Sequence, residues 1–180
     1  MKTTIVLILG FVLLCGVMGV AFAGTITVDL PSTHLTTRTD GAASMGNYYL
    51  LDVPLPAAMA GARVQSAFLE FYVDATVTEA ASGHDPAPRI QVYALKSAMG
   101  ETFDVSKIEK GPGVASVPIG TSKRVGVIVT EVIQGWLDTP TSNHGLVVGA
   151  LTGAQDGRFT LKSGVLGSGA MARLTVHYKP

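Results

Sequence analysis

The sequence predicts an all-β protein, an antiparallel β-sandwich of about eight or nine short strands with one short helix. Segments in which apolar and polar residues alternate recur along the chain, as in Gly24–Leu30 and Val64–Val73. Turn residues separate these segments, and one segment, Thr130–Asp138, has helical spacing instead. No repeat with a period of about 20 to 50 residues is present, which excludes a solenoid or a propeller.

Met1–Ala23 has the features of a secretory signal peptide. It carries Lys2, then a long apolar run, then the small-x-small sequence Ala21-Phe22-Ala23. An uncleaved anchor is the alternative, because the apolar run is long enough to cross a bilayer. The only cysteine, Cys15, lies in this run, so the mature chain would have none. We expect a secreted or cell-surface protein that touches a membrane only through this segment, if it stays uncleaved.

The remaining chain, Gly24–Pro180, is long enough for a single domain with a substantial core. Its charges are balanced, since the full sequence has 13 Lys and Arg against 13 Asp and Glu, and no charge run is present. This balance excludes the basic surface that nucleic acids and anionic membranes require. Core packing alone must stabilise the domain, because no disulfide can form.

The predicted strands follow one another along the whole domain. After the strand at Gly24–Leu30 they are Asn47–Val53, Val64–Val73, Arg89–Leu95, a weak strand at Val114–Ile119, Val125–Val129, Leu146–Leu151, Gly157–Ser163 and Met171–Tyr178. Loops are predicted at Pro31–Gly46, at Thr76–Pro88 and at Ser163–Ala170. A long irregular segment, Lys96–Pro118, is also predicted, and we call it the excursion.

The predicted helix carries the only tryptophan. Val132, Ile133 and Trp136 share one face of about two turns, so Trp136 is expected to plug the core rather than to serve as a platform for a sugar. Thr130 is the predicted N-cap, and Pro140 ends the helix. The other residues that we assign to the core are Leu69, Phe71, Val92 and Leu174.

Two strands supply candidate ligand-binding side chains. If Leu69 and Phe71 point inward, then the neighbouring side chains point outward, and the same alternation applies to the strand at Arg89–Leu95. The outward candidates are Phe68, Glu70, Tyr72, Arg89, Gln91 and Tyr93. If both strands lie in one sheet, this face combines flat rings with polar groups, as sugar binding requires. The alternative is that these residues form ordinary cross-strand pairs, or that the excursion covers them.

Catalytic and metal-binding patterns are weak. The four histidines have no metal-ligand spacing, and Ser168 lies in a Gly-rich turn without the setting of a nucleophile elbow. A pair of catalytic carboxylates for glycoside hydrolysis could form in the fold from Glu70, Glu101 or Asp104, but no sequence motif indicates one. We expect a non-catalytic protein with no cofactor. A structural calcium ion has little support, because the loop carboxylates Asp40, Asp85, Asp104 and Asp138 form no Asp-x-Asp string.

Five segments in order give the chain a family resemblance. They are Ala67–Tyr72, Ile90–Tyr93, Val127–Trp136, Asn143–Val148 and Arg173–Tyr178. Together they resemble the DNRLRE domain, a group classed in part as carbohydrate-binding module family 96, over nearly all of the mature chain. The resemblance implies a secreted, non-catalytic jelly-roll sandwich, often joined to polysaccharide-degrading enzymes or surface proteins. Two features depart from the family. Such domains usually carry a Trp shortly after the strand that matches Ile90–Tyr93, and here Ala98-Met99-Gly100 stands nearby instead. The arginine-containing motif that gives the domain its name is matched only faintly, by Thr37-Arg38-Thr39-Asp40.

These observations lead us to expect a module that binds polysaccharide or cell-surface glycans, or that mediates adhesion. A structural subunit of a surface layer or filament is the alternative, in which Gly24–Leu30 pairs with the sheet edge of a neighbouring subunit. We expect this strand to pair within its own sheet. A polysaccharide-active enzyme is the third alternative.

Overall fold

The computed structural model describes residues 23–39, 42–77, 89–109, 115–118, 123–149, 157–162 and 170–180. In chain order the strands are β1 (Gly24–Leu30), β2 (Ser32–Thr39), β3 (Ala42–Leu51), β4 (Arg63–Val77), β5 (Arg89–Ala94), β6 (Ala115–Pro118), β7 (Lys123–Ile128), β8 (Leu146–Gly149), β9 (Gly157–Leu161) and β10 (Ala172–Lys179). The helix α1 (Thr130–Asp138) lies between β7 and β8, and single 3₁₀ turns lie at Ala57–Met59, Val105–Lys107 and Pro140–Ser142. No helix in these ranges is long and apolar enough to span a membrane.

The strands form two antiparallel sheets. The first sheet has the order β1-β10-β4-β7, and β9 pairs with the C-terminal end of β4. The second sheet has the order β2-β3-β8-β5-β6. Successive strands change sheet six times, from β1 to β2, β3 to β4, β4 to β5, β6 to β7, β7 to β8 and β8 to β9, which is the Greek-key arrangement of a jelly roll. The prediction of an all-β antiparallel sandwich is confirmed.

The core lies between the two sheets, and β4 shows why. Its residues Ala67, Leu69, Phe71 and Val73 alternate with outward-facing neighbours, and all four are fully buried. A shift of one residue in pairing would expose this whole set, so the apolar pattern also fixes the register. The residues assigned to the core from sequence are all buried in this cluster: Leu69, Phe71, Val92, Trp136 and Leu174.

Helix α1 closes one end of the sandwich at the predicted bounds, with Ile133 and Trp136 buried on its inner face. The predicted N-cap is wrong. Val129 is the N-cap residue and makes no side-chain capping bond, while the Thr130 hydroxyl accepts a hydrogen bond from the Ala67 backbone N–H at 3.0 Å. The β4–β7 ladder ends where Phe68 lies opposite Ile128, because the chain then enters the helix. The Thr130 hydroxyl therefore supplies the acceptor for the Ala67 backbone N–H.

The predicted loop at Pro31–Gly46 is also wrong. β2 and the first part of β3 form a hairpin there, with Ser32 opposite Leu51 and Thr39 opposite Ala42. The sequence of β2 is rich in Thr, which favours strands, and an edge strand needs few apolar residues. β4 likewise continues past the predicted end at Val73 and pairs with β9 as far as Val77. Residues 1–22 of the predicted signal peptide (Met1–Ala23), residues 78–88 of the predicted loop at Thr76–Pro88 and residues 163–169 of the predicted loop at Ser163–Ala170 lie outside the described residues.

Candidate functional site

The six candidate ligand-binding residues do not share a face. β4 carries Phe68, Glu70 and Tyr72 in the first sheet, whereas β5 carries Arg89, Gln91 and Tyr93 in the second. β4 and β5 lie in different sheets, so the condition for one combined face is not met. Alternation along a strand predicts which side chains point away from the core, but it carries no information on which sheet the strand joins. Phe68, Glu70 and Tyr72 lie on the outer surface of the first sheet, whereas Gln91 and Tyr93 lie on that of the second.

The outer surface of the second sheet is partly covered by the excursion that follows β5. Tyr93 is only 7 % exposed and packs in a small apolar cluster with Leu95, Ile108 and Val147. The Tyr93 hydroxyl donates a hydrogen bond to the Gln91 side-chain carbonyl. The side chain of Arg89 lies outside the described residues. Tyr93 thus packs beneath other residues and is not an accessible ligand-binding ring.

Aromatic contacts and backbone bonds hold the excursion in place. The rings of Tyr48 and Phe103 stack with centroids 3.9 Å apart and planes 2° apart. The Lys96 N–H donates to the Lys107 carbonyl at 3.0 Å, and Leu95 forms an antiparallel bridge with Ile108. Burial raises the pKa of the Tyr48 hydroxyl, with a smaller contribution from the nearby Tyr93, and burial also raises the pKa of Tyr93.

A capped 3₁₀ turn adds order within the same excursion. Asp104 precedes the turn Val105–Lys107, and its carboxylate accepts a hydrogen bond from the Ser106 backbone N–H at 2.8 Å. The Ser106 side-chain and backbone bonds lower the pKa of Asp104. The Asp104 backbone N–H lies 3.3 Å from the Met99 sulfur. Met99 packs against the small cluster below the excursion.

The outer surface of the first sheet is open where β4 and β7 pair. Phe68 is 39 % exposed and Ile128 is 65 % exposed, and these two residues lie directly opposite each other across the strand pair. They are two of the three exposed large apolar side chains among the described residues. The two side chains thus form one small apolar patch, whereas exposed apolar residues on other surfaces commonly stand alone.

A glycine creates a recess beside this apolar pair. The next outward pair in the register is Glu70 with Gly126, followed by Tyr72 with Arg124. A Cβ atom added at Gly126 would meet no other atom within 4 Å. We call this place the β4–β7 recess, and its border is formed by Phe68, Glu70, Tyr72, Arg124 and Ile128.

Three ion pairs join polar side chains on the outer surface of the first sheet. Arg124 Nη2 lies 2.6 Å from Glu70 Oε1 at the recess itself. Arg173 Nε lies 2.8 Å from Asp29 Oδ1, and Lys162 Nζ lies 3.5 Å from Asp74 Oδ2. All three pairs are exposed to solvent, so each contributes little to folding stability. The Arg124–Glu70 pair places a donor and an acceptor beside the apolar pair, whereas Asp74 lies farther along β4.

Two shallow clefts flank α1, and no sequence pattern predicts them because they depend on how the helix packs against the sheets. One, of about 480 Å³, has Trp136 in its wall, with Lys96, Glu109 and Glu131 at its border. The other, of about 650 Å³, lies between the helix and the start of β4.

The carboxylates considered for catalysis are separated. Glu70 lies on the outer surface of the first sheet, whereas Glu101 and Asp104 belong to the excursion over the second sheet. Within the part of the chain that the structure describes, no group of three or more His, Cys, Asp or Glu side chains is placed to hold a metal ion. His177, on β10, hydrogen-bonds through Nδ1 with the Thr25 hydroxyl at 2.8 Å.

No protein-family model matches this chain, and no curated protein matches it. The features of the molecule that bear on function are its jelly-roll fold and the geometry of the β4–β7 recess.

Proposed function

We propose that this chain is a secreted, non-catalytic module of the DNRLRE type that binds carbohydrate through the β4–β7 recess. The observation that carries the proposal is the exposed apolar pair Phe68 and Ile128 beside an open glycine. Sugar rings have apolar C–H faces that stack on aromatic rings, while their hydroxyls need hydrogen-bonding partners. The recess offers both kinds of contact within one strand pair.

The dimensions of the surface suit a chain of sugars. Phe68 and Tyr72 lie four residues apart on the same side of β4, a distance of about 13 Å along a strand. Glu70 lies between the two rings, and the Arg124 side chain reaches it from the position opposite Tyr72, so a polar contact separates the apolar ones along the strand. A ligand that spans both rings would be an oligosaccharide or a segment of polysaccharide.

Retention on insoluble polysaccharides tests the proposal. We expect Phe68→Ala and Ile128→Ala each to weaken retention by about tenfold, because each removes part of the exposed apolar surface. The matched control is Val105→Ala, which truncates the third exposed apolar residue, at 66 % exposure, on a different part of the molecule. Ile128→Ala and Val105→Ala should change the melting temperature little, since these side chains are mostly exposed, whereas Phe68→Ala should lower it more because the ring is only 39 % exposed.

The proposal fails if the parent protein is retained on no polysaccharide in a broad panel. It also fails if Val105→Ala reduces retention as much as Phe68→Ala, because the effect would then not belong to the recess.

A further inference from the structure

We infer that the β4–β7 recess takes an uncharged polysaccharide, with one sugar ring seated directly over Gly126. This inference depends on the proposed function and adds the class of ligand and the position of the ring. Two independent observations support this inference. One is the conformation of Gly126, and the other is the pairing of charges around that residue.

Neither the backbone nor the packing of the domain requires glycine at position 126. The glycines with positive φ among the described residues are Gly61 and Gly145, so Gly126 has a conformation that other residues can adopt. A Cβ atom there would meet nothing within 4 Å. Glycine in the interior of a strand is nevertheless destabilising relative to alanine. The close approach of a ligand to the backbone explains why a side chain is absent at this place.

The charges around the recess neutralise one another. In the register, Asp29, Arg173 and Glu70 lie side by side on β1, β10 and β4, so their charges alternate in sign. Arg124 then pairs with Glu70 from the other side. A surface with paired charges exerts no net attraction on a polyanion. An acidic sugar that recruited Arg124 would also bring its carboxylate next to that of Glu70.

The same pair suits neutral hydroxyl groups. A carboxylate accepts hydrogen bonds and a guanidinium donates them, and each has more bonding positions than the single contact between them uses. The Glu70 side chain is 28 % exposed and that of Arg124 is 58 % exposed, so both can be reached from the recess. A hydroxyl pair on a neutral sugar can bond to both groups without separating them.

Filling the recess tests where the ring sits. We expect Gly126→Val to reduce binding to neutral polysaccharides, such as cellulose, xylan or mannan, by at least about tenfold. The melting temperature should stay the same or rise, because valine favours strands and meets no other atom. The matched control is Thr27→Val, which places the same side chain on the same outer surface at the exposed strand β1 and should bind as the parent does. If Gly126→Val melts at a lower temperature, the smaller Gly126→Ala variant supplies the comparison.

A comparison of ligands tests the charge class. Binding to neutral polysaccharides should change less than about twofold between low and high salt, because no net charge is involved. Binding to alginate or polygalacturonate should be much weaker. If the parent binds only these acidic polymers, in a salt-dependent way, the inference is overturned while the proposed function stands. If Gly126→Val binds as well as the parent, the position of the ring is wrong, and if the parent binds no polysaccharide, both proposals fail.

Discussion

Tyr48 and Tyr49 show how the environment of a single residue is set by segments distant in sequence. One of two adjacent strand residues must point inward, and this residue is Tyr49, which is 2 % exposed. Tyr48 points outward, yet its ring is half-buried because Phe103 stacks on it. Alternation predicts the first fact, whereas the second depends on a segment more than 50 residues away in the printed sequence.

The buried hydroxyls predict a loss of stability in alkaline solution. Burial raises the pKa of Tyr48 and Tyr93 in the folded protein above the ordinary value near 10. The neutral hydroxyls therefore stabilise the fold fully below about pH 10, and this stabilisation is lost as the pH rises through the folded-state pKa values. We expect the free energy of unfolding, measured with urea, to be flat up to about pH 9.5 and to fall above pH 10.

Tyr93→Phe separates this effect from the hydrogen bond to Gln91. The lost hydrogen bond costs a fixed amount at every pH, but removal of the titrating group should make the alkaline decline shallower. Parallel curves for the parent and Tyr93→Phe would contradict the assignment of the decline to Tyr93.

At the scale of the secondary-structure elements, two strand glycines on outer surfaces have opposite surroundings. Gly126 on β7 is open, whereas Gly149 on β8 lies beneath the ring of Tyr48, its partner on β3. The ring covers the glycine and in turn carries Phe103 of the excursion. Gly149 is thus required for the packing of the second sheet.

We expect Gly149→Val to lower the free energy of unfolding by about 1–3 kcal/mol, because the added atoms would overlap the Tyr48 ring. The variant Tyr48→Ala removes the ring, so in that background Gly149→Val should cost much less. Chemical denaturation of the four proteins measures the coupling. Strictly additive losses would show that the ring does not lie over the glycine in solution.

The bounds of the strands and the helix show which elements the sequence pattern can predict. β1 and α1 have the predicted bounds because their apolar residues repeat with a clear period. β2 was missed because an edge strand rich in Thr has no such pattern. For the site, alternation predicted that Phe68, Glu70 and Tyr72 point outward. It could not supply their partners on β7, because register is decided by contacts between strands far apart in sequence.

At the scale of the whole molecule, the two outer surfaces differ. The excursion covers part of the second sheet, whereas the first sheet is open around the β4–β7 recess. β1 pairs with β10 of its own sheet through all seven of its residues, from Gly24 to Leu30. Donation of this strand to a neighbouring subunit would break that ladder, so the intramolecular pairing opposes assembly by strand exchange.

Deletion of residues 24–30 should therefore unfold the domain. Leu30 is fully buried, and Ile26 and Val28 pack against the core, so their loss removes apolar contacts worth several kcal/mol. Near-ultraviolet circular dichroism should show that fixed aromatic packing is gone. A truncated chain that keeps the parent melting temperature would show that β1 is dispensable.

The pairing of Gly24 with Tyr178 brings the beginning and the end of the domain together. A Cβ atom added at Gly24 would lie 2.6 Å from Tyr178 Cζ, so the tyrosine ring lies directly against the first residue of β1. The two ends leave the same corner of the first sheet. Proteins fused before Gly24 and after Lys179 would consequently emerge side by side, and this domain would act as a branch point rather than as a spacer between them.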